Sequence, residues 1–420
     1  MSQKSENAVG IFDIKNFDSG IDITEVAEDT YQCTSFANVT AFDTAKGLVL
    51  VDTGLSKLSQ QLATALREHT DSPVHTAIYT HGHTDHAFGL DEFLIEGQEP
   101  PNVIAHEAMA GRFDRYARTE EYNKIINGRQ LSADPAAAEY HSLWEDDMFC
   151  WPNYPPTTWY SDDITITVGD TTFEIHHARG ETDDHTWLYC PDRDVLCSGD
   201  LVTAAAPNAG NPQKVQRYPW DWADALREMA ALNAGTLLPG HGEPIVNDPE
   251  KTEHRLLRYA EYLDTIVDQT IERLNDGAPP HVDIVREIDL PDPEESWLQS
   301  EYDCGEFIAR NVIRYYGGWW TGRPSELKPA GRGAVAEEIA DLAGDAETLA
   351  ERAEALIDEG DERLACHLAD YALEADPENE AVQTAVANVY EARAEATEDM
   401  MSANIFASSV KYANEGRPFR

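Results

Sequence analysis

Basic side chains are scarce in this sequence. It contains 31 lysines and arginines against 78 aspartates and glutamates, so its formal net charge is −47. A field of this sign repels polyanions, which excludes nucleic acid and anionic membranes as partners. Because 42% of the residues are hydrophobic, the acidic excess does not indicate disorder. It favours a folded, halophilic protein whose self-repulsion is screened by concentrated salt.

The sequence also lacks long apolar runs and paired cysteines. No stretch approaches the length of a membrane-spanning helix, and the first residues contain no apolar segment of the kind that secretory signals carry. The six cysteines form no C-x-x-C pair, which is typical of free thiols in a reducing compartment. We therefore expect a cytoplasmic protein without membrane insertion.

What the sequence does contain is a dense group of metal-ligating side chains. Residues 75–79 are mostly β-branched or aromatic, which predicts a short strand that ends just before His81. In an extended segment alternate side chains share a face, so His81 and His83 can bind one ion. If a helix follows, Asp85 and His86 are turned towards a second ion. Three imidazoles and one carboxylate are the nitrogen and oxygen ligands that zinc prefers.

This motif resembles that of the metallo-β-lactamase superfamily. Further landmarks follow in the family's order: Asp52-Thr53-Gly54, Gly180-Glu181-Thr182, Ser198-Gly199-Asp200 and Pro239-Gly240-His241-Gly242. A glutamate at the third ligand position, and the aromatic stretch at residues 315–320 followed by Gly322-Arg323-Pro324, are similar to the alkyl sulfatase branch with its helical dimerisation domain. The resemblance covers nearly the whole chain from about Tyr31 onward.

The resemblance implies both a fold and a ligand set. The fold is of the α/β class, an αβ/βα metallo-β-lactamase sandwich followed by an all-helical C-terminal domain. The cofactor is a pair of zinc ions, although other divalent metals suit the same ligands. The first ion would be held by His81, His83 and Glu181, the second by Asp85, His86 and His241, with Asp200 bridging the two.

Changes of pattern along the chain predict three segments. A polar N-terminal arm is expected at residues 1–30, a catalytic domain of short strands and helices at 31–248, and a helical dimerisation domain at 249–420. Pro249 and Glu250 are typical of a helix start, and helical patterns continue from there. Alanine-rich helices are predicted at 334–342, 346–359, 361–374 and 378–396. Their pairing fits either a tetratricopeptide-like repeat or an ordinary helix bundle.

The segment that follows Asp200 is rich in cations and amides. Asn208, Asn211, Lys214 and Arg217 are predicted to bind the substrate, because arginine and amide donors suit sulfate oxygens. By resemblance Asn208 fits the asparagine of the family's sulfate pocket, whereas Gln213 falls near its arginine. The alternative is that these side chains only satisfy loop backbone.

Asp85 and His185 are the candidate catalytic residues. For His185 two roles are open: it acts as a general acid, or it fixes a metal ligand.

The function implied is a zinc-dependent hydrolase that cleaves alkyl sulfate esters to an alcohol and inorganic sulfate with a metal-bound hydroxide. A homodimer through the helical domain is also implied. Another hydrolase on the same metals is the first alternative: a thioesterase, a lactonase or a β-lactamase-like enzyme. The second is a scaffold whose helical domain binds a partner protein while its metal site is structural. A single-iron oxygenase is the third.

Overall fold

The computed structural model describes residues 21–131, 148–277, 283–417 and 419. It divides into two compact units. The described residues of the first unit are 21–120, 148–277 and 283–316, and those of the second are 121–131, 317–417 and 419. The polar arm expected at residues 1–30 lies outside the described residues as far as residue 20, and a strand begins at Asp22.

Strands β1 to β7 form the first sheet, and they lie side by side in chain order. They are β1 (Asp22–Ala27), β2 (Thr30–Thr34), β3 (Val39–Thr44), β4 (Gly47–Val51), β5 (Val74–Ile78), β6 (Asn102–His106) and β7 (Thr158–Tyr160). The pairs from β1 to β4 are antiparallel, and those from β4 to β7 are parallel. All residues of β4 are buried, which explains why its sequence is uninterrupted Gly-Leu-Val-Leu-Val rather than alternating.

Strands β8 to β12 form the second sheet, in the order β12-β11-β10-β9-β8. They are β8 (Ile164–Val168), β9 (Thr171–Ala178), β10 (His185–Cys190), β11 (Val195–Gly199) and β12 (Thr236–Pro239). One buried apolar cluster contains side chains of both sheets. Within it the rings of Phe42 and Phe173 meet edge to face, 5.1 Å apart. The inward faces of the two sheets therefore share a core.

Helices follow the parallel strands of the first unit and make up the second unit. In the described residues they are α1 (Ser56–Leu66), α2 (Thr84–Ala87), α3 (Ala108–Arg118), α4 (Glu120–Leu131), α5 (Pro219–Ala231), α6 (Pro249–Asn275), α7 (Asp283–Glu287), α8 (Gly305–Gly317), α9 (Pro324–Leu327), α10 (Arg332–Ala343), α11 (Ala346–Glu359), α12 (Glu362–Ala375), α13 (Glu380–Glu395) and α14 (Met400–Asn414). The predicted α/β sandwich with a helical C-terminal region is confirmed.

The two compact units do not divide at residue 248, where the sequence indicated a domain boundary. Helix α6 begins at Pro249, and its residues Leu256 and Leu263 are buried in the same apolar cluster as Trp222 of α5 and Ile308 of α8. An apolar helix face predicts that the face is buried, but it does not predict which elements cover it. The apolar face of α6 packs against other elements of the first unit, so α6 belongs to that unit.

The second unit is built from alanine-rich helices. Four of them, α10 to α13, confirm the helices predicted for this region, and α14 follows them. Ala353 of α11 and Ala365 and Ala369 of α12 are fully buried in one apolar cluster, and such small side chains let helices approach closely. Among the described residues no helix combines the length and apolar character that crossing a membrane needs.

Candidate metal centre

The predicted ligands lie at the ends of strands in the first unit. His81 and His83 follow β5, Asp200 follows β11 and His241 follows β12, while Glu181 lies in the turn from β9 to β10. Strand ends of this kind bring residues that are distant in sequence to one edge of a sandwich.

The first group of candidate ligands consists of His81, His83, Glu181 and Asp200. Their ligand atoms all lie within 4.8 Å of one another. His81 Nε2 is 2.8 Å from His83 Nδ1 and 3.8 Å from Asp200 Oδ2, and His83 Nδ1 is 3.7 Å from Glu181 Oε1. Ligand atoms around a tetrahedral zinc ion are separated by about 3.3 Å. These side chains are therefore close enough to share one ion.

The second group consists of Asp85, His86 and His241. The short helix α2 begins directly after His83 and turns Asp85 and His86 away from the first group. Asp85 Oδ2 is 3.6 Å from both His86 Nε2 and His241 Nε2. The helical turn that the sequence analysis required for a second group is present.

Asp200 lies between the two groups. Its Oδ1 is 3.3 Å from His86 Nε2, and its Oδ2 is 3.3 Å from His241 Nε2 as well as 3.8 Å from His81 Nε2. Burial alone would raise the pKa of Asp200, but the protonated forms of His241 and His86 hold that pKa well below its usual range. Its carboxylate is thus anionic and shared by the two groups.

A second aspartate, Asp52, fixes the tautomers of two histidines. Its Oδ2 accepts hydrogen bonds from His86 Nδ1 (2.8 Å) and from the Thr80 hydroxyl (2.7 Å). Because that hydroxyl donates to Asp52, it accepts from His81 Nδ1, 3.0 Å away. Both rings therefore carry their proton on Nδ1 and present a lone pair on Nε2 to the centre.

The arrangement of lone pairs suits cations. His241 Nδ1 donates to the carbonyl of Phe36, so its Nε2 also presents a lone pair. Among the described residues, the buried atoms His86 Nε2 and Asp200 Oδ1 have no hydrogen-bond partner although they lie 3.3 Å apart. When His86 is neutral, these two acceptors cannot bond each other, whereas a metal cation can take the place of the second ring proton and be coordinated by both. The side chains present fit divalent metal.

Arg112 and Asp184 hold the backbone between the first two histidines. Asp184 Oδ2 accepts from the backbone N–H of Gly82 (2.9 Å), and its Oδ1 accepts from Arg112 Nε (3.0 Å). A Cβ at Gly82 would lie 2.6 Å from Arg112 Cδ, so any larger residue would have to displace the ion-paired side chain of Arg112. The buried ion pair thereby sets the spacing of His81 and His83.

The segment after Asp200 contacts Glu181 through two of its predicted substrate-binding residues. Arg217 Nη1 lies 2.5 Å from Glu181 Oε1, and Asn208 Nδ2 donates to the same oxygen at 2.6 Å. Burial raises the pKa of Glu181 to about 7, although Arg217 opposes that rise. Both side chains therefore hydrogen-bond Glu181, which is a candidate metal ligand.

Lys214 and Asn211 differ in their surroundings. Lys214 is half-buried, and burial, followed by the nearby Arg217, lowers its pKa to about 7. Asn211 is buried, and its Oδ1 accepts from the backbone N–H of Gln213 at 3.2 Å. Lys214 therefore belongs to a cationic part of the site, whereas this contact of Asn211 stabilises the loop itself.

His185 stacks on His81, with ring centroids 4.8 Å apart and an angle of 16° between the rings. Its Nε2 accepts the backbone N–H of Asp200 at 3.1 Å, which leaves the ring proton on Nδ1. Burial lowers the pKa of His185 to about 4, so the ring is neutral. Of the two roles open for His185, this geometry favours the one that fixes a ligand.

Three contributors were missed or left without a role by the sequence analysis. Asp52 was noted only as part of one of the family's landmarks, and neither Asp184 nor Arg112 was noted. The signal for Asp52 was an acidic residue at the end of a fully apolar strand. Arg112 gave none, because an arginine in a helix is ordinarily a surface residue.

Comparison with known proteins agrees with this architecture. Residues 34–241 match the family model of the metallo-beta-lactamase superfamily, and residues 281–416 match that of the alkyl sulfatase dimerisation domain. The first match covers just under half of the chain and the second about a third of it. The chain is therefore similar to the metallo-beta-lactamase superfamily in one region and to alkyl sulfatases in the other.

Among its relatives is a linear primary-alkylsulfatase of Pseudomonas sp., which is 26% identical over 79% of this chain and 65% of the relative. An (R)-specific secondary-alkylsulfatase of Pseudomonas sp. is 24% identical over 94% of this chain and 63% of the relative. The chain thus spans less than two thirds of their length.

The solved structure of the stereoselective inverting sec-alkylsulfatase Pisa1 from Pseudomonas sp. matches 95% of this chain and 66% of its own. The TM-score is 0.81 at 20% identity. This likeness supports the fold described above.

Proposed function

We propose that the protein hydrolyses alkyl sulfate esters to an alcohol and inorganic sulfate, using two divalent metal ions. The observation that carries the proposal is Asp200, whose two carboxylate oxygens face both ligand groups. The substrate class in this proposal comes from the relatives, which are named alkylsulfatases. We further propose zinc as the metal and a homodimer as the assembly, because the helical region matches a dimerisation model.

The metal ions would be held by His81, His83, Glu181 and Asp200 on one side, and by Asp85, His86, His241 and Asp200 on the other. Bound there, they would acidify water so that hydroxide is available at neutral pH. The chain itself supplies three carboxylates, which offset most of the charge of two divalent ions. It also orients the imidazoles through Asp52, Thr80 and the Phe36 carbonyl.

Holding the sulfate head is the remaining task of the protein, since sulfate is a good leaving group. Burial, followed by the charges of Arg217, Arg112 and Arg115, lowers the pKa of Lys214 to about 7, although the Glu181 carboxylate opposes this effect. Crowded cations with restricted access to water favour an incoming anion. We assign Lys214 to the sulfate head, and Arg217 and Asn208 to the support of Glu181.

The substrate is tested by incubating the metal-loaded protein with a medium-chain alkyl sulfate in oxygen-18 water. Release of inorganic sulfate is expected, and the position of the label in alcohol or sulfate identifies the bond that breaks. Release of thiol from an acyl thioester without any release of sulfate would overturn the proposal in favour of a thioesterase.

The variant Lys214→Met tests the assignment of the sulfate head. Loss of one charged donor is expected to raise both KM and the inhibition constant of inorganic sulfate by about 10- to 100-fold. Steady-state kinetics measure both constants, and Lys251→Met on the exposed first turn of α6 serves as the control. Equal constants for Lys214→Met and the control would contradict the assignment.

The charge of −47 predicts that stability depends on salt. Raising KCl from about 0.1 M to about 2 M is expected to increase Tm by at least about 5 °C, because the screening length falls below the spacing of surface carboxylates. Thermal unfolding followed by circular dichroism measures the change. Sucrose of equal osmolality should produce a smaller one, and a Tm independent of salt would exclude a halophilic protein.

A further inference from the structure

We infer that Asp303 and Asn311 are positioning residues that clamp the loop at residues 208–217 and thereby hold Arg217 on Glu181. The inference rests on the proposed function for its kinetic consequence, since this loop carries Lys214. Both residues lie within the region that matches the dimerisation model, yet they belong to the first compact unit. Part of that region would thus complete the catalytic unit.

Asp303 fixes the start of the loop. Its side chain is fully buried, and its Oδ2 accepts the backbone N–H groups of Gly210 at 2.5 Å and of Asn211 at 3.2 Å. Its Oδ1 accepts the N–H of Cys304 at 2.8 Å, at the start of α8. A single carboxylate therefore ties two loop amides to the start of this helix, and its removal would leave both donors buried and unpaired.

Asn311 fixes both ends of the same loop. Its Nδ2 donates to the carbonyls of Ala209 (3.0 Å) and Arg217 (2.9 Å), and its Oδ1 accepts from Gln216 Nε2 (3.1 Å). The residue is 4% exposed. Because one amide bonds carbonyls that are eight residues apart in sequence, it fixes the separation of the two ends of the loop.

Gly210 lets the loop approach α8 at backbone contact. A Cβ at this position would lie 2.4 Å from Phe307 Cβ and 2.6 Å from the backbone nitrogen of Ile308. Backbone atoms cannot move aside as a flexible side chain can, so any larger residue would push the loop off the helix. This close contact is independent of the hydrogen bonds and points to the same clamp.

The clamp is coupled to the candidate metal centre through Glu181, which bonds both Arg217 and Asn208 of the loop. Arg217 is 2% exposed, and its Nη1 reaches both Glu181 Oε1 and the carbonyl of Asn208, each at 2.5 Å. Since Asn311 holds the Arg217 carbonyl, displacement of the loop would move this guanidinium relative to Glu181. The hydrogen bonds of Asp303 and Asn311 go to the loop and to the start of α8 instead of to a candidate metal ligand. These two residues therefore act through the loop residues Arg217 and Asn208.

Hydrogen–deuterium exchange of the full-length protein tests the clamp without substrate. In Asn311→Asp, which keeps the size of the side chain but loses the two donated bonds, peptides from residues 208–217 are expected to exchange about tenfold faster. Gly210→Ala is expected to have the same local effect. Peptides from β4 and β5 should exchange as in the wild type.

The control is Arg310→Gln on α8, which should leave exchange in the loop unchanged. The kinetic arm uses a medium-chain alkyl sulfate, for which Asn311→Asp should raise KM about tenfold while metal content stays that of the wild type. Unchanged exchange of residues 208–217 in both Asn311→Asp and Gly210→Ala would overturn the inference. If the wild type releases no sulfate but the loop exchanges faster in the variants, the clamp stands and the proposed function fails.

Discussion

Asp200→Ala is expected to lower kcat/KM for an alkyl sulfate by at least about 1000-fold, since a metal centre supplies several kcal/mol of transition-state stabilisation. The physical reason is that, among the residues the structure describes, Asp200 is the one carboxylate whose oxygens lie 3.3 Å from His86 Nε2 and from His241 Nε2. Without it, these histidines and His81 lose the negative charge that offsets a pair of cations. The metal content of the purified variant is expected to fall together with its activity.

The measurement combines steady-state kinetics with elemental analysis of metal. Asp224→Ala is the matched control, because Asp224 lies in α5 and its side chain is 76% exposed. It should retain full activity and full metal content. Wild-type metal content and activity in Asp200→Ala would contradict the bridging role of Asp200.

Asp52→Asn is expected to reduce metal affinity and kcat/KM by about 10- to 100-fold, the usual effect of losing a partner that orients a ligand. Asparagine is the informative substitution because Asp52 has a φ of 59°, a conformation that asparagine tolerates better than alanine does. With a side-chain N–H₂ facing His86 Nδ1, the ring would be driven to the tautomer with its proton on Nε2, where it cannot bind metal.

The test of Asp52 is competition with a chelator, which measures affinity at both ligand groups. Asp52 contacts His86 directly and His81 through Thr80, so the affinity of both groups should weaken. Weakening at one group alone would show that the hydrogen-bonded chain through Thr80 contributes nothing. Asp194→Asn is a suitable control, because Asp194 also accepts two hydrogen bonds, from Gly235 N and Tyr189 Oη. It precedes β11, so it lies at the end of the strand remote from Asp200 and the candidate metal centre.

Local pattern was sufficient to predict the parts of the centre that depend on local geometry. Alternation at the strand end places His81 and His83 in one ligand group, and the short helix that follows places Asp85 and His86 in a second group. The structure contains these two groups. The sequence could not supply partners that come from distant elements. Asp52 lies 34 residues from His86, and only the parallel pairing of β4 with β5 brings the two together.

The cationic loop shows the same limit. Residue type indicated that Arg217 contacts an anion, and in the structure that anion is the carboxylate of Glu181. The clamp by Asp303 and Asn311 left no signal either, because buried polar residues in helix and turn patterns are indistinguishable from exposed ones until the fold is known. Helix α6 was assigned to the second domain for a related reason, since its apolar face is buried against the first unit.

The central claim is that side chains spread between His81 and His241 hold two neighbouring divalent ions. The most direct measurement is anomalous X-ray scattering at the zinc edge from crystals of the zinc-loaded protein. The account predicts two peaks about 3.5–4 Å apart, one within bonding distance of His81 and His83 and the other of His86 and His241, with Asp200 between them. A single peak with four protein ligands, or peaks remote from Asp200, would contradict it.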